Sequence, residues 1–151
     1  MAIEVAELVT MALKVGIAGY GLAGRYFHAP LLKGCGYEVA AILTSNEVRK
    51  AHALEDFPHT TVVSSIEDLV SMDLDLVVVA SANIAHADQA IAALNAGIPV
   101  VVDKPMGRNL EETQRIIDTS IAQGVPVTTF FNRRWDSDAL TIKKVLASGV
   151  L

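Results

Sequence analysis

The sequence predicts a doubly wound α/β domain, with a mainly parallel six-stranded sheet and helices on both faces. Three observations carry this. Short apolar runs alternate with helix-patterned segments along the whole chain. The runs are continuous rather than alternating, which marks strands buried on both faces of a parallel sheet. The joints between them are short and hold glycine, proline, asparagine or serine. At 151 residues the chain has room for one such domain and not for two.

Taken in order, Lys14–Ala18 is a first strand that ends in glycines. Leu22–Lys33 is helical in pattern. Pro30 should kink or shorten that helix, because its ring removes a donor and crowds the preceding turn. Val39–Leu43 is the second strand, and Asn46–Asp56, rich in Ala, Glu, Lys and Arg, the next helix. After a brief third strand, Thr61–Val63, the run Ser65-Ile66-Glu67-Asp68 fits a capping box that opens a short helix. Leu76–Ala80 is the fourth strand. His86–Ala96 places apolar residues at 87, 90, 91 and 94, a helical spacing, with Gly97 as its stop. Val100–Val102 is the fifth strand. Asn109, with Glu112 three residues later, opens a helix that Gly124 closes ahead of Pro126. Val127–Phe131 is the sixth strand. Asp136 or Ser137 can cap a last helix reaching about Ala147, with Gly149 beyond it.

Composition narrows the function. Hydrophobic residues make up 52% and charged residues 19%, a globular balance without a disordered tail. A net charge of −5 argues against nucleic acid, which selects basic patches. The single cysteine, Cys35, rules out an internal disulfide, so a reducing cytoplasm is the expected compartment. The longest apolar run, around Leu76–Ala80, is too short for a bilayer, and no membrane partner is expected. Met1–Thr10 has neither the basic start nor the apolar stretch of a signal peptide. A second start-like segment, Met11-Ala12-Leu13-Lys14, leads into the first strand, so residues 1–12 read as a native extension or an expression remnant. The four histidines share no metal spacing with one another or with Cys35, and no metal site is expected.

The strongest chemical signal is Gly19-Tyr20-Gly21-Leu22-Ala23-Gly24, a G-x-G-x-x-G match that follows a strand and opens a helix. In a Rossmann-type domain Gly19 permits the tight turn, Gly21 lets the backbone approach a pyrophosphate, and Gly24 allows close helix–strand packing. Leu22 and its neighbours supply free amides at the positive end of the helix. An NAD site wants a carboxylate at the carboxyl end of the second strand. Glu38 is at a suitable sequence distance but precedes that strand, and Glu47 is the remaining candidate. The correct edge carries Thr44 and Ser45, with Arg49 one helical turn further on. Hydroxyls beside a guanidinium suit a 2′-phosphate, which favours NADP over NAD.

Other polar groups fall at the same edge of the sheet. Ser81, Asn83 and His86 follow the fourth strand, Asp103-Lys104-Pro105 the fifth, and Asn132-Arg133-Arg134-Trp135-Asp136 the sixth. With these in order the chain resembles the glucose–fructose oxidoreductase/inositol dehydrogenase (Gfo/Idh/MocA) family over about residues 13 to 151. That family is marked by the glycine loop, a P-N-x-x-H segment and a Glu-Lys-Pro motif. Phe27-His28-Ala29-Pro30 and the run from Asn132 to Lys144 look most like its NADP-dependent scyllo-inositol dehydrogenase branch. Here Asp103 stands for the usual Glu, one methylene shorter, and Ala82 for the usual Pro.

The resemblance implies that residues 13–131 are a dinucleotide-binding domain and that 132–151 begin a truncated C-terminal substrate domain. It implies a sugar, inositol or other polyol as substrate, and a homo-oligomeric parent. It places Lys104 at the nicotinamide as the catalytic residue, and the chemistry agrees. Removing hydride from an alcohol leaves a proton to be taken, and a cation beside the oxygen stabilises the developing alkoxide. The family's partner histidine, inside a G-x-H-x-x-D segment, is absent from the sequence, so the chain as given should bind a dinucleotide and turn over nothing or almost nothing. Arg134 has two readings, a clamp for polyol or cofactor and a solvated charge. His28 likewise reads as a residue approaching the cofactor or as a buried structural one. His52 and His59 read as surface residues, and Trp135 as packing between domains. A stand-alone, non-catalytic dinucleotide-sensing module is the alternative from another class; an S-adenosylmethionine site fits poorly, since Asp103-Lys104-Pro105 would then have no purpose.

Overall fold

The computed structural model describes residues 12–150; residues 1–11, within the stretch read as an extension or remnant, lie outside it. Six strands form one sheet: β1 (Lys14–Ala18), β2 (Glu38–Leu43), β3 (Thr61–Val63), β4 (Leu76–Val79), β5 (Val100–Asp103) and β6 (Val127–Phe130). Their order is β3-β2-β1-β4-β5-β6, and every neighbouring pair is parallel. Parallel neighbours need crossovers, and the intervening helices provide them. The chain builds outward from β1 to β3, then returns to the other side of β1 to start β4. Reversal at that point opens a crevice at the carboxyl ends of β1 and β4.

Side chains alternate across the sheet, so each continuous apolar run feeds two cores. Val77 and Val79 enter one core and Val78 the other, and Ala41 and Ile42 divide in the same way. The first core is closed by α3 (Ile66–Val70), α4 (His86–Asn95) and α5 (Leu110–Gln123), through Leu69, Ala87, Ala90, Leu94 and Ile116. The second is closed by α1 (Ala29–Gly34) and α2 (Glu47–Asp56), through Ala29, Leu32 and Ala53.

Side chains cap three helix starts, those at Ser65 and Asn109 as expected and one at Asn46, which the sequence reading places inside its helix. Asn46 Oδ1 accepts the Arg49 N–H at 3.0 Å, Ser65 Oγ accepts that of Asp68 at 3.1 Å, and Asn109 Oδ1 that of Glu112 at 2.9 Å. One arm differs. The Glu112 carboxylate accepts from the Arg108 N–H at 2.8 Å and from Arg108 Nε at 2.9 Å, because the adjacent guanidinium offers a charged fork. Gly124 ends α5 at φ 66°, in the left-handed region. The last helix, α6 (Ser137–Ser148), begins after Asp136 without a side-chain cap; that carboxylate instead takes Arg133 Nε at 2.7 Å.

Around Pro30 the helix is not cut short. Residues 22 and 23 are helical, Gly24–His28 form a π-helical turn, and α1 follows without a break. The Ala29 N–H reaches the Gly24 carbonyl, five residues back, and the widened turn makes room for the proline ring. Among the described residues no helix is long and apolar enough to cross a membrane. α6 buries none of its residues, and Leu140, Ile142 and Leu146 are exposed on it.

Candidate functional site

The carboxyl ends of β1, β2, β4 and β5 open onto a cleft of about 500 Å³. Gly19, Gly21, Leu22, Thr44, Ser45, Arg49, Ser81, Asn83, Asp103 and Lys104 all line it. Gly24, His86 and Pro105 do not, and Arg134 lies at an adjoining depression.

The three glycines of the loop have different physical reasons. Gly19 has φ +103°, and a Cβ there would stand 2.6 Å from the Ser81 Cα. Its conformation and the close approach of the next strand both demand glycine. A Cβ on Gly24 would stand 2.1 Å from the Gly19 carbonyl oxygen, because the helix packs directly onto the loop. Gly21 is unlike either. Its φ is not positive, and a Cβ there meets nothing closer than the Arg49 Cζ at 3.7 Å, an ordinary contact. The fold itself therefore has no use for glycine at this position, while a ligand approaching the backbone from the cleft would. The Gly19 amide is engaged with the Leu43 carbonyl at 3.0 Å. Gly21, Leu22 and Ala23 line the cleft where the helix opens, and first-turn amides have no partner within their helix.

The second wall comes from β2 and α2. Thr44 is buried, and its hydroxyl accepts the Asn46 N–H at 3.3 Å. Asn46 in turn caps α2 through the Arg49 N–H. These two short bonds set where α2 starts, and so bring the Arg49 guanidinium to Gly21. Arg49 is exposed and belongs to none of the ion pairs among the described residues. Glu38 opens β2 at the opposite edge of the sheet, and Glu47 does not line the cleft. Asp103 is the one carboxylate residue on its lining.

The loops after β4 and β5 form the third wall. His86 is buried, with Nδ1 2.8 Å from the Pro105 carbonyl oxygen and Nε2 3.1 Å from that of Ser81. It ties the two loops together from behind. Ser81 Oγ donates to Gln89 Oε1 at 2.6 Å, and Asn83 is exposed. The Lys104 N–H donates to Asp103 Oδ1 at 2.8 Å, and the Lys104–Pro105 peptide is cis. Lys104 is exposed and shared. It lines the cleft and also an adjoining depression of about 540 Å³ with Phe131, Asn132, Arg133 and Arg134. The Arg134 guanidinium lies 5.5 Å over the Trp135 ring.

Two arrangements went unforeseen in the sequence. Tyr20, inside the glycine loop, is buried and donates to Asp56 Oδ2 at 2.9 Å. Arg25 grips the same carboxylate through Nε at 2.7 Å and Nη2 at 3.0 Å. The Arg25 fork holds the Asp56 carboxyl below the usual carboxylate range, and burial, with Asp56 beside it, pushes the Tyr20 hydroxyl up. No local spacing signals a contact between residues so far apart. The second arrangement is His28, which packs on Phe130 with its Nε2 3.9 Å from Asp103 Oδ2. Of its two sequence readings, burial is the one observed.

Known proteins match this description. The oxidoreductase family with an NAD-binding Rossmann fold, Gfo/Idh/MocA, matches residues 13–131. The uncharacterized oxidoreductase YdgJ of Escherichia coli is 41% identical over 92% of this chain and 40% of its own length. The scyllo-inositol 2-dehydrogenase (NADP(+)) IolW of Bacillus subtilis is 38% identical over 92% of this chain and 38% of its own length. A solved NAD-binding protein from Listeria innocua, 28% identical, superposes with a TM-score of 0.84 over 91% of this chain and 41% of that one. The chain thus spans about 40% of the length of the relatives it matches. The family match covers all six strands of the sheet, and the chain belongs to the Gfo/Idh/MocA oxidoreductases through their NAD-binding Rossmann fold.

Proposed function

We propose that the cleft binds a nicotinamide dinucleotide, NADP ahead of NAD, and that within a longer parent it serves hydride transfer between the nicotinamide and a sugar, inositol or other polyol. The observation that carries this reading is Gly21, bare on the cleft side where the fold does not require it. Bound there, the nicotinamide supplies the hydride acceptor or donor. The remaining work falls to the chain's own residues. Amides of Gly21, Leu22 and Ala23 oppose the pyrophosphate charge. Arg49, with Ser45 beside it, takes a 2′-phosphate, and no carboxylate on that wall repels it. Lys104 stands between the cleft and the adjoining depression, so its Nζ can meet a substrate oxygen on one side while the cofactor occupies the other. There its charge stabilises the developing alkoxide and its proton can join a relay.

The NADP-linked inositol dehydrogenase among the relatives supports both the cofactor and the polyol assignments. Residues 132–151 are taken as the opening of the substrate domain, in a soluble, cytoplasmic and homo-oligomeric parent. By itself the chain is expected to bind without turnover, since it has no G-x-H-x-x-D segment to supply the second acid/base group.

Parallel titrations of the chain with NADPH and NADH test the reading. NADPH should bind tighter, and Arg49→Gln should weaken NADPH about tenfold while leaving NADH within about twofold. Equal affinities, or an unchanged preference in the variant, would remove Arg49 from the phosphate site.

A further inference from the structure

We infer that His28 and Asp103 form a largely buried brace in the wall of the cleft, in which the His28 Nε2–H holds the Asp103 carboxylate and, through it, the backbone that presents Lys104. What the brace serves rests on the dinucleotide reading of the cleft. His28 lies in the π-helical turn, 4% exposed, with its ring centroid 4.5 Å from that of Phe130. Its Nε2 is buried and has no hydrogen-bond partner. Such an orphan costs about 1–3 kcal/mol, and folded proteins rarely leave one without a use. It faces Asp103 Oδ2 at 3.9 Å, about 1 Å beyond a hydrogen bond, a gap that a small side-chain shift closes.

Asp103 is placed to pass that contact on. Its Oδ1 accepts the Lys104 N–H at 2.8 Å, and its side chain is only 15% exposed. Both oxygens are thus turned to protein, one on the Lys104 amide and one toward His28. Asp103 is therefore a positioning residue for the Lys104 turn rather than a group free to bind ligand, and His28 positions Asp103. Burial lowers the His28 pKa against the opposing pull of Asp103, which favours the neutral ring. A neutral imidazole offers Asp103 a donor only as the Nε2–H tautomer.

Two measurements on the chain test this. Long-range 1H–15N NMR at pH 7 should show His28 neutral and protonated at Nε2; protonation at Nδ1 alone leaves no donor for Asp103 and overturns the brace. Binding gives the second readout. His28→Phe keeps the ring packing but removes the donor, and should weaken NADPH about fivefold to tenfold while leaving 2′,5′-ADP, which lacks the nicotinamide half, unchanged. His28→Gln restores an N–H at the Nε2 position and should recover NADPH binding to within about twofold. A phenylalanine variant that binds NADPH as the parent does, or a glutamine variant as weak as phenylalanine, overturns the inference. Should the parent bind neither NADPH nor 2′,5′-ADP, the dinucleotide reading fails, and the tautomer still decides the brace.

Discussion

A methyl group at Gly24 would stand 2.1 Å from a backbone oxygen, whereas at Gly21 it would meet only a guanidinium at 3.7 Å. The two positions should therefore answer differently to one substitution. Gly24→Ala should lower stability by about 3 kcal/mol or more, since a backbone oxygen cannot move aside as a side chain can. Gly21→Ala should melt within about 0.5 kcal/mol of the parent yet bind NADPH at least about tenfold more weakly. Thermal melts and titrations of both variants check this, and a Gly21→Ala protein with parental affinity would contradict it. The motif spacing already distinguished these glycines, because each is defined by its neighbours within the loop. The place of Arg49 on the cleft was legible for the same reason, one turn beyond Thr44 and Ser45. The Asp103–His28 contact was not, because it joins a helix after β1 to the end of β5 and no local pattern records it.

Between elements, the Asp56 carboxylate links the end of α2 to the glycine loop through Tyr20 and to the π-helical turn through Arg25. Asp56→Asn should cost about 1–2 kcal/mol at pH 7 in denaturant melts. Because the folded-state pKa of Asp56 is lowered, its contribution is present above the unfolded carboxyl range, about pH 4, and is lost as pH falls through the folded value. The gap between parent and variant should therefore narrow in acid, and a gap that stays constant down to about pH 2 would refute the ion-pair origin. The starts of α3 and α5 were easy to read, since Ser65 and Asn109 act three residues ahead. The π-helical turn was not, because Pro30 rules out a regular helix without saying whether the chain kinks, stops or widens. Asp136 looked like a cap and instead pairs with Arg133, a competition between two local partners that spacing alone does not decide.

At the scale of the whole molecule, continuous apolar runs joined by helices were enough to specify a parallel sheet covered on both faces. Strand order is a different matter. The same runs suit several orders, and the one adopted, β3-β2-β1-β4-β5-β6, puts the switch point, the glycine loop and Lys104 around one cleft. The exposed apolar side chains of α6 also escape periodicity, which shows an apolar stripe but not whether anything covers it. The central claim is that open amides at the start of the first helix take the charge of a dinucleotide. Following backbone amide resonances by 1H–15N NMR during NADPH titration tests it most directly. The Gly21, Leu22 and Ala23 amides should shift together and saturate with the cofactor. Saturable binding that leaves those three resonances unmoved, or no binding at all, would contradict the account.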